Sequence, residues 1–226
     1  MKIAHSMLEK PIEFEENVVN VLVVENPKMF SVVVADFYKQ IENNEEGGFV
    51  LSEDSKVLSM QKYLDIILEP FTVDLNQKKI INKLYTKLKE KSVESEMYKE
   101  TTELQSNIFA YIEKISETVE YPLVYDSSGI DFQDVFKMVD LKLEANHESL
   151  LEKLLDYMTV VHEFLGISHF VAVNLKSFLS FEDLEELYKG IQYKKLSLFL
   201  LENKTQENNS TVEKLYILDS DLCSIY

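Results

Sequence analysis

Cysteine, glycine and proline are scarce in this chain. The one cysteine among 226 residues, Cys223, excludes an internal disulfide and fits a reducing, intracellular setting. As a lone thiol it reads as a small buried apolar residue rather than a nucleophile. Gly 5 and Pro 4 leave little room for long coil, so helix should be plentiful. No stretch approaches ~20 uninterrupted apolar residues, which excludes a helical membrane span. The opening MKIAHSMLEKP has no apolar signal core, so a cytoplasmic protein is expected. No GxSxG, Walker or Rossmann glycine pattern occurs. His5, His147, His162 and His169 are not spaced with one another, or with Cys223, as metal or catalytic partners would be. Catalysis is not expected.

Negative charge is plentiful. Lys+Arg 23 against Asp+Glu 40 gives a formal net charge of -17 at pH 7. Taken as an average, this opposes nucleic-acid binding, because phosphate contacts need cations. The average yields only where positive charge gathers on one face. At 46% apolar and 28% charged, the composition is otherwise that of an ordinary globular protein.

The chain is organised around residues 18–26, VVNVLVVEN. A short, β-branched, nearly continuous apolar run is a strand buried on both faces, as in a parallel sheet. Asn26 is a good N-cap and Pro27 suits a first helical position. Met29, Phe30, Val33, Val34, Phe37 and Tyr38 continue at helical spacing to about residue 41. This strand–helix turn, Glu25-Asn26-Pro27-Lys28, lacks the glycines that let backbone N–H groups cradle phosphate, and it carries an acid. It is not built to hold a nucleotide.

Short strands are expected at residues 2–4, 12–14 and 49–51, and an amphipathic helix over 59–68 ended by Pro70. From residue 74 to about 120 strand signals vanish. Two helical segments, carrying Ile80, Ile81, Leu84, Tyr85 and Leu88, then Ile108, Phe109, Ile112 and Ile115, suggest an antiparallel helical arm. The breaker YPLVYDSSGI at 121–130 precedes a short helix over 131–137. A strong amphipathic helix spans 149–165 with Gly166 just past its end. Buried strands at 169–173 and 196–201 flank an acidic helix over 181–190. A polar loop at 203–210 leads to a last strand over 212–218. Strands near Val21, Val171 and Phe199 share one sheet only if the helical part is an insertion. The expected fold is therefore α/β: a split head with a mainly parallel sheet, residues 1–73 and 147–226, plus an inserted α-helical leg, residues 74–146.

Two constellations carry candidate chemistry. Between residues 77 and 91 stand Lys78, Lys79, Lys83, Lys87, Lys89 and Lys91 against one acid, Glu90. Lys79, Lys83, Lys87 and Lys91 recur at i, i+4, i+8, i+12, a ridge about 18 Å long at 1.5 Å per residue. That is roughly five base pairs at 3.4 Å per step. The bland reading is a solvated helix face or one paired to acids elsewhere. No arginine stands among these lysines, and the one aromatic residue between them, Tyr85, belongs to the apolar spacing, so any DNA contact would be sequence-independent. The second constellation is Glu117, Glu120, Asp126, Asp131 and Asp134 around the YPLVYDSSG breaker. Carboxylates and bent backbone suit a hard cation such as Ca²⁺, although the spacing is not that of an EF-hand.

The segment LEKPIEFEENVVNVLVVENPKMFSVVVADFY resembles the opening of the Csn-two family, the small accessory adaptation proteins of type II-A CRISPR systems. LSEDSKVLSMQKYLDIILEPFTVDLN, Tyr125–Asp126, FKMVDLKLE at 136–144, LSLFLLEN and LYILDSD are similar too. The resemblance runs diffusely over most of the chain. It implies an α/β head distantly like P-loop ATPases but without the phosphate loop, and an extended helical leg. It further implies homotetrameric rings whose basic hole holds double-stranded DNA ends, bound Ca²⁺, no known catalysis, and action in spacer acquisition beside the integrase complex and the effector nuclease. Carried over by position, Lys137 and Lys142 match family lysines, and Glu120, Tyr125 and Asp126 match its acidic segment. Pro122, Val124 and Ser127 stand where acids are expected, and Ser128–Gly129 looks inserted. Asp131 is the further acid within reach of that segment.

The expected function is thus a non-catalytic, ring-forming, sequence-independent binder of duplex DNA. Its candidate contacts are Lys79, Lys83, Lys87, Lys91, Lys137 and Lys142, and its candidate calcium ligands are Glu120, Asp126 and Asp131. The rivals are a protein-only scaffold docking through Met97, Tyr98, Phe109 or Tyr111, and a degenerate nucleotide hydrolase.

Overall fold

The run VNVLVV forms β3 (Val19–Val24), after β1 (Lys2–Ala4) and β2 (Ile12–Glu13), and all six of its residues are buried. In this computed structural model, which describes residues 1–206 and 210–225, that strand lies inside a six-stranded sheet. Its other members are β6 (Leu64–Ile67), β7 (His169–Val173), β8 (Ser197–Glu202), β9 (Glu213–Leu218) and β10 (Ser224–Ile225), in the order β10-β9-β3-β8-β7-β6. The five strands from β9 to β6 are parallel, and β10 runs antiparallel to β9. A smaller antiparallel sheet, β2-β1-β4-β5, is completed by β4 (Val50–Glu53) and β5 (Lys56–Leu58).

Side chains alternate across a strand, so each buried strand feeds two cores. Leu22, Val24, Val171, Val173, Phe199 and Leu201 join Val33, Phe37 and Ile41 of α1 (Pro27–Glu42) and Ile3, Ile12 and Leu51 of the smaller sheet. Phe37 bridges the two sheets, its ring 4.3 Å from Phe49 and 5.7 Å from Phe199. The intervening residues Val21, Val23, Phe170, Ala172, Leu198 and Leu200 point to the opposite face. There α6 (Leu150–Leu165) and α7 (Phe181–Tyr193) bury Leu154, Met158, Val161, Leu184, Leu187 and Ile191. Each such side chain contributes about 1.5–3 kcal/mol by leaving water. The caps are those the residue types dictate. Ser149 and Ser180 accept from the third amide of their helices, and Gly166 ends α6 with φ +72°, a conformation a side chain would strain. Gly47 is required by close approach, since a Cβ there would meet Asp36 Oδ1 at 2.1 Å.

The fold is α/β, and the chain divides into two units, residues 1–75 with 145–226 and residues 76–144. The second unit is all-helical: α3 (Lys78–Ser92), α4 (Tyr98–Ser116) and α5 (Phe132–Met138). Three expectations are corrected. Residues 59–68 are one turn of helix, α2 (Met60–Tyr63), followed by β6. The run LDII is buried at every residue, so it satisfies a two-faced strand as well as it does helical spacing. The main partner of α3 is α5 rather than α4, with the rings of Tyr85 and Phe136 5.9 Å apart and Tyr85 donating to the Leu141 carbonyl at 2.9 Å. Cys223 is exposed, not buried, in a turn where its amide donates to Asp219 Oδ1. Residues 207–209 of the polar loop expected at 203–210 lie outside the described residues. Among the described residues no helix is long and apolar enough to cross a membrane.

Candidate nucleic-acid interface

Helix α3 is amphipathic with a mainly cationic polar face: six of its nine exposed residues are lysines. Ile80 and Tyr85 are buried and Ile81, Leu84 and Leu88 half-buried, which fixes the inward face. A step of four residues advances about 40° beyond a full turn at 3.6 residues per turn. Lys79, Lys83 and Lys87 therefore form a slanting stripe that starts opposite the apolar face and drifts towards its edge, where Lys91 follows in the last turn. All four are exposed. The start of α3 adds to the positive potential. Gln77 makes no side-chain cap, Lys78 and Lys79 occupy the first positions, and no acid stands in the first turn, so the positive end of the helix dipole lies beside the first lysines. Repulsion at i, i+4 disfavours such a stripe on its own.

The remaining candidate lysines sit elsewhere. Lys137 is on α5, 2.9 Å from Asp134, which raises its pKa along with the nearby Asp131. It also lies near Tyr85, and so on the side of α3 that α5 covers, away from the stripe. Lys142 follows α5 and pairs with Asp140 at 2.5 Å. Lys89, off the stripe, pairs with Asp131 at 2.9 Å, and Lys91 pairs with Glu94 at 3.0 Å. Every one of these pairs is solvent-exposed. Such pairs contribute little and are readily exchanged for a phosphate.

The three candidate calcium ligands are not brought together. Asp131 caps α5 by accepting from the Gln133 amide, and it binds Lys89. The Lys89 hydrogen bond, then the amide, hold its carboxyl below the ordinary range. Asp126 is folded back onto the Ser128 amide at 2.8 Å, which lowers its pKa in the same way. Among the described residues no group of three or more His, Cys, Asp or Glu side chains is placed to hold a metal. A hard cation wants six to eight oxygens, and these carboxylates are spent on separate local turns. Asp126 and Asp131 are each engaged in a local turn, and the expected Ca²⁺ binding is a matter for a direct binding measurement.

The turn after β3 is occupied by its own side chain. Asn26 Oδ1 accepts from the Lys28 and Met29 amides at 3.1 and 3.2 Å, the donors a phosphate would need. Glu25 beside it accepts from Thr205 Oγ1. The histidines are dispersed. His169 is held down to about 4, chiefly by burial, and packs edge-on to Phe14, while His147 pairs with Asp156 at 3.2 Å.

Sequence reasoning understated one feature of the helical unit. Helix α4 runs for 19 residues without a buried side chain. Met97, Leu104, Tyr111 and Ile115 are 48%, 45%, 65% and 49% exposed. With Thr101 and Ile108 they follow alternating steps of four and three, the spacing of a helix–helix seam. Of the residues named for scaffold docking, Tyr98 is exposed as well, whereas Phe109 is half-buried and stacks on Tyr125 with centroids 6.0 Å apart.

Three comparisons with known proteins bear on these features. A family model described as CRISPR-associated protein (Cas_Csn2) matches residues 40–222. The CRISPR-associated protein Csn2 of Enterococcus faecalis is 23% identical over 228 residues, covering 100% of this chain and 99% of that protein. Among solved structures, the ADP conformation of an ATP-binding cassette of an ABC transporter aligns with a TM-score of 0.45 at 9% identity, over 97% of this chain and 85% of the other.

Proposed function

This chain belongs to the Csn2 family of CRISPR-associated proteins, and from that premise we propose that it binds double-stranded DNA without sequence preference and without catalysis, as a ring of identical subunits that supports spacer acquisition. The α3 stripe is the observation that carries the reading. Lys79, Lys83 and Lys87 give an exposed, cationic helix stripe roughly 12 Å long, with no arginine fork to read base edges. Lysines grip phosphates as point charges, which positions a duplex and specifies nothing.

A ring reconciles this stripe with the net charge. The helical unit carries ten lysines against thirteen acids, so it stands at −3, and the α/β unit holds the other −14 of the total -17. Repetition around an axis would gather the lysines of several copies on one channel. The exposed α4 seam supports self-association, since an apolar stripe of this length is costly to leave in water. The nucleotide rival has no foothold at the β3 turn, whose amides Asn26 already binds. The integrase complex and the effector nuclease are the partners proposed for the ring.

Threading gives the test. Linear and covalently closed circular duplexes of equal length are offered to the full chain in a gel shift. Retention of the linear form alone is expected. Equal retention of both overturns the ring, and retention of neither overturns DNA binding in favour of the protein-only scaffold.

A further inference from the structure

A second charged cluster lies in the α/β unit, and it is buried. The turn Leu175–Ser177 after β7 supplies Lys176, β8 ends in Glu202, β9 begins with Glu213, and α7 supplies Tyr188. Lys176 Nζ stands 2.6 Å from Glu213 Oε2, the two side chains being 3% and 2% exposed. Tyr188 Oη donates to Glu213 Oε1 at 2.7 Å. Glu213 thus has a charged donor on one oxygen and a hydroxyl on the other, the donor set of a carboxylate anion.

Glu202 is provided for differently. Its Oε1 accepts the Lys176 amide at 3.1 Å. Its Oε2 is buried with no hydrogen-bond partner. The groups that act on it are Lys176 from the turn after β7, Glu213 from β9 and, on the other side of Glu213, Tyr188 from α7, which Glu185 faces in turn. Its neighbour on β3 is the apolar Val23. Lys176 is the one lysine buried among the described residues, and its ammonium is engaged by Glu213. A bare anionic oxygen removed from water and from donors is far costlier than a neutral carboxyl in the same place, which forgoes a single hydrogen bond. Burial dominates and pushes Glu202 up to about 7. The charge of Glu213 adds to it, while the Lys176 and Leu175 amides and the Lys176 charge pull the other way.

We propose that Glu202 Oε2 is a buried proton-binding site: the folded α/β unit takes one proton from solvent at this atom, and gives it up only as the clasp formed by Lys176 between β8 and β9 loosens. The site is independent of the DNA reading. It makes the α/β unit, not the helical one, the pH-sensitive part of the molecule. The sign follows from linkage. The folded chain binds this proton more tightly than the unfolded chain. The stabilisation is therefore full below about 4.5, the ordinary value, and is lost as pH rises through about 7.

Carboxyl-detected NMR on the full chain, with Glu202 assigned through its own backbone, reads the site directly. A midpoint near neutrality is expected, and a midpoint in the ordinary glutamate range overturns the proposal. Thermal melts of wild type and Glu202→Gln between pH 5 and pH 8 give a second reading. Wild type should lose several degrees on the alkaline side while the variant stays level. An unchanged slope in a folded variant overturns the proposal, and if the variant does not fold, the NMR midpoint alone decides.

Discussion

In the α/β unit six consecutive residues of β3 are buried, while in the helical unit a 19-residue helix, α4, buries none. The first unit carries most of the negative charge and hides its one clasp of opposite charges, Lys176 with Glu213, from water. The second is nearly balanced, yet its cations are concentrated on α3 and its carboxylates are scattered over caps and local turns. The contrast teaches where each kind of residue works. Apolar surface is spent on folding in one unit and left outward in the other. A clasp of opposite charges is buried in one, while the ion pairs of the other are solvent-exposed.

The largest effect expected from breaking the contrast is on binding. Lys83→Glu with Lys87→Glu replaces the middle of the stripe by its opposite charge. Duplex affinity should fall by about 100-fold or more, because several phosphate contacts become repulsions. Thermal melting should hold, since both side chains are exposed. Binding that survives in a gel shift would move the contact elsewhere.

A smaller effect separates the units by stability. Leu154→Ala removes a fully buried side chain from α6 and should cost about 2–5 kcal/mol in denaturant unfolding. Leu104→Ala on α4 should stay within about 0.5 kcal/mol for the single chain while shifting solution mass towards smaller species. Equal losses of stability would erase the distinction drawn between the two helices.

Much of the α/β unit was legible in the sequence because its signals are local. VNVLVV, HFVAV and SLFLLE are apolar runs of strand length, and Asn26-Pro27, Ser149 and Gly166 are helix punctuation. Residues 64–67 were not, because LDII meets the helical period with its neighbours and shows itself as a strand only once β7 lies alongside. The lysine stripe was equally local, its spacing being a property of α3 alone. The pair that ties Asp131 to Lys89, and the joining of Lys176, Glu202 and Glu213, depend on which elements meet across the fold, whereas Lys137 pairs with Asp134 within its own helix. No short-range pattern announces the first two. Asp126 and Asp131 of the candidate calcium set are likewise engaged, one by the Ser128 amide and the other by the Gln133 amide and Lys89.

The central claim, that an acidic protein holds DNA through the lysines of α3, is tested most directly by duplex affinity measured across a salt series. Wild type should give a straight, steep fall of log K with log salt, and Lys83→Gln and Lys87→Gln should each lessen the slope by about 1. A flat wild-type line, or a slope indifferent to both substitutions, would contradict it.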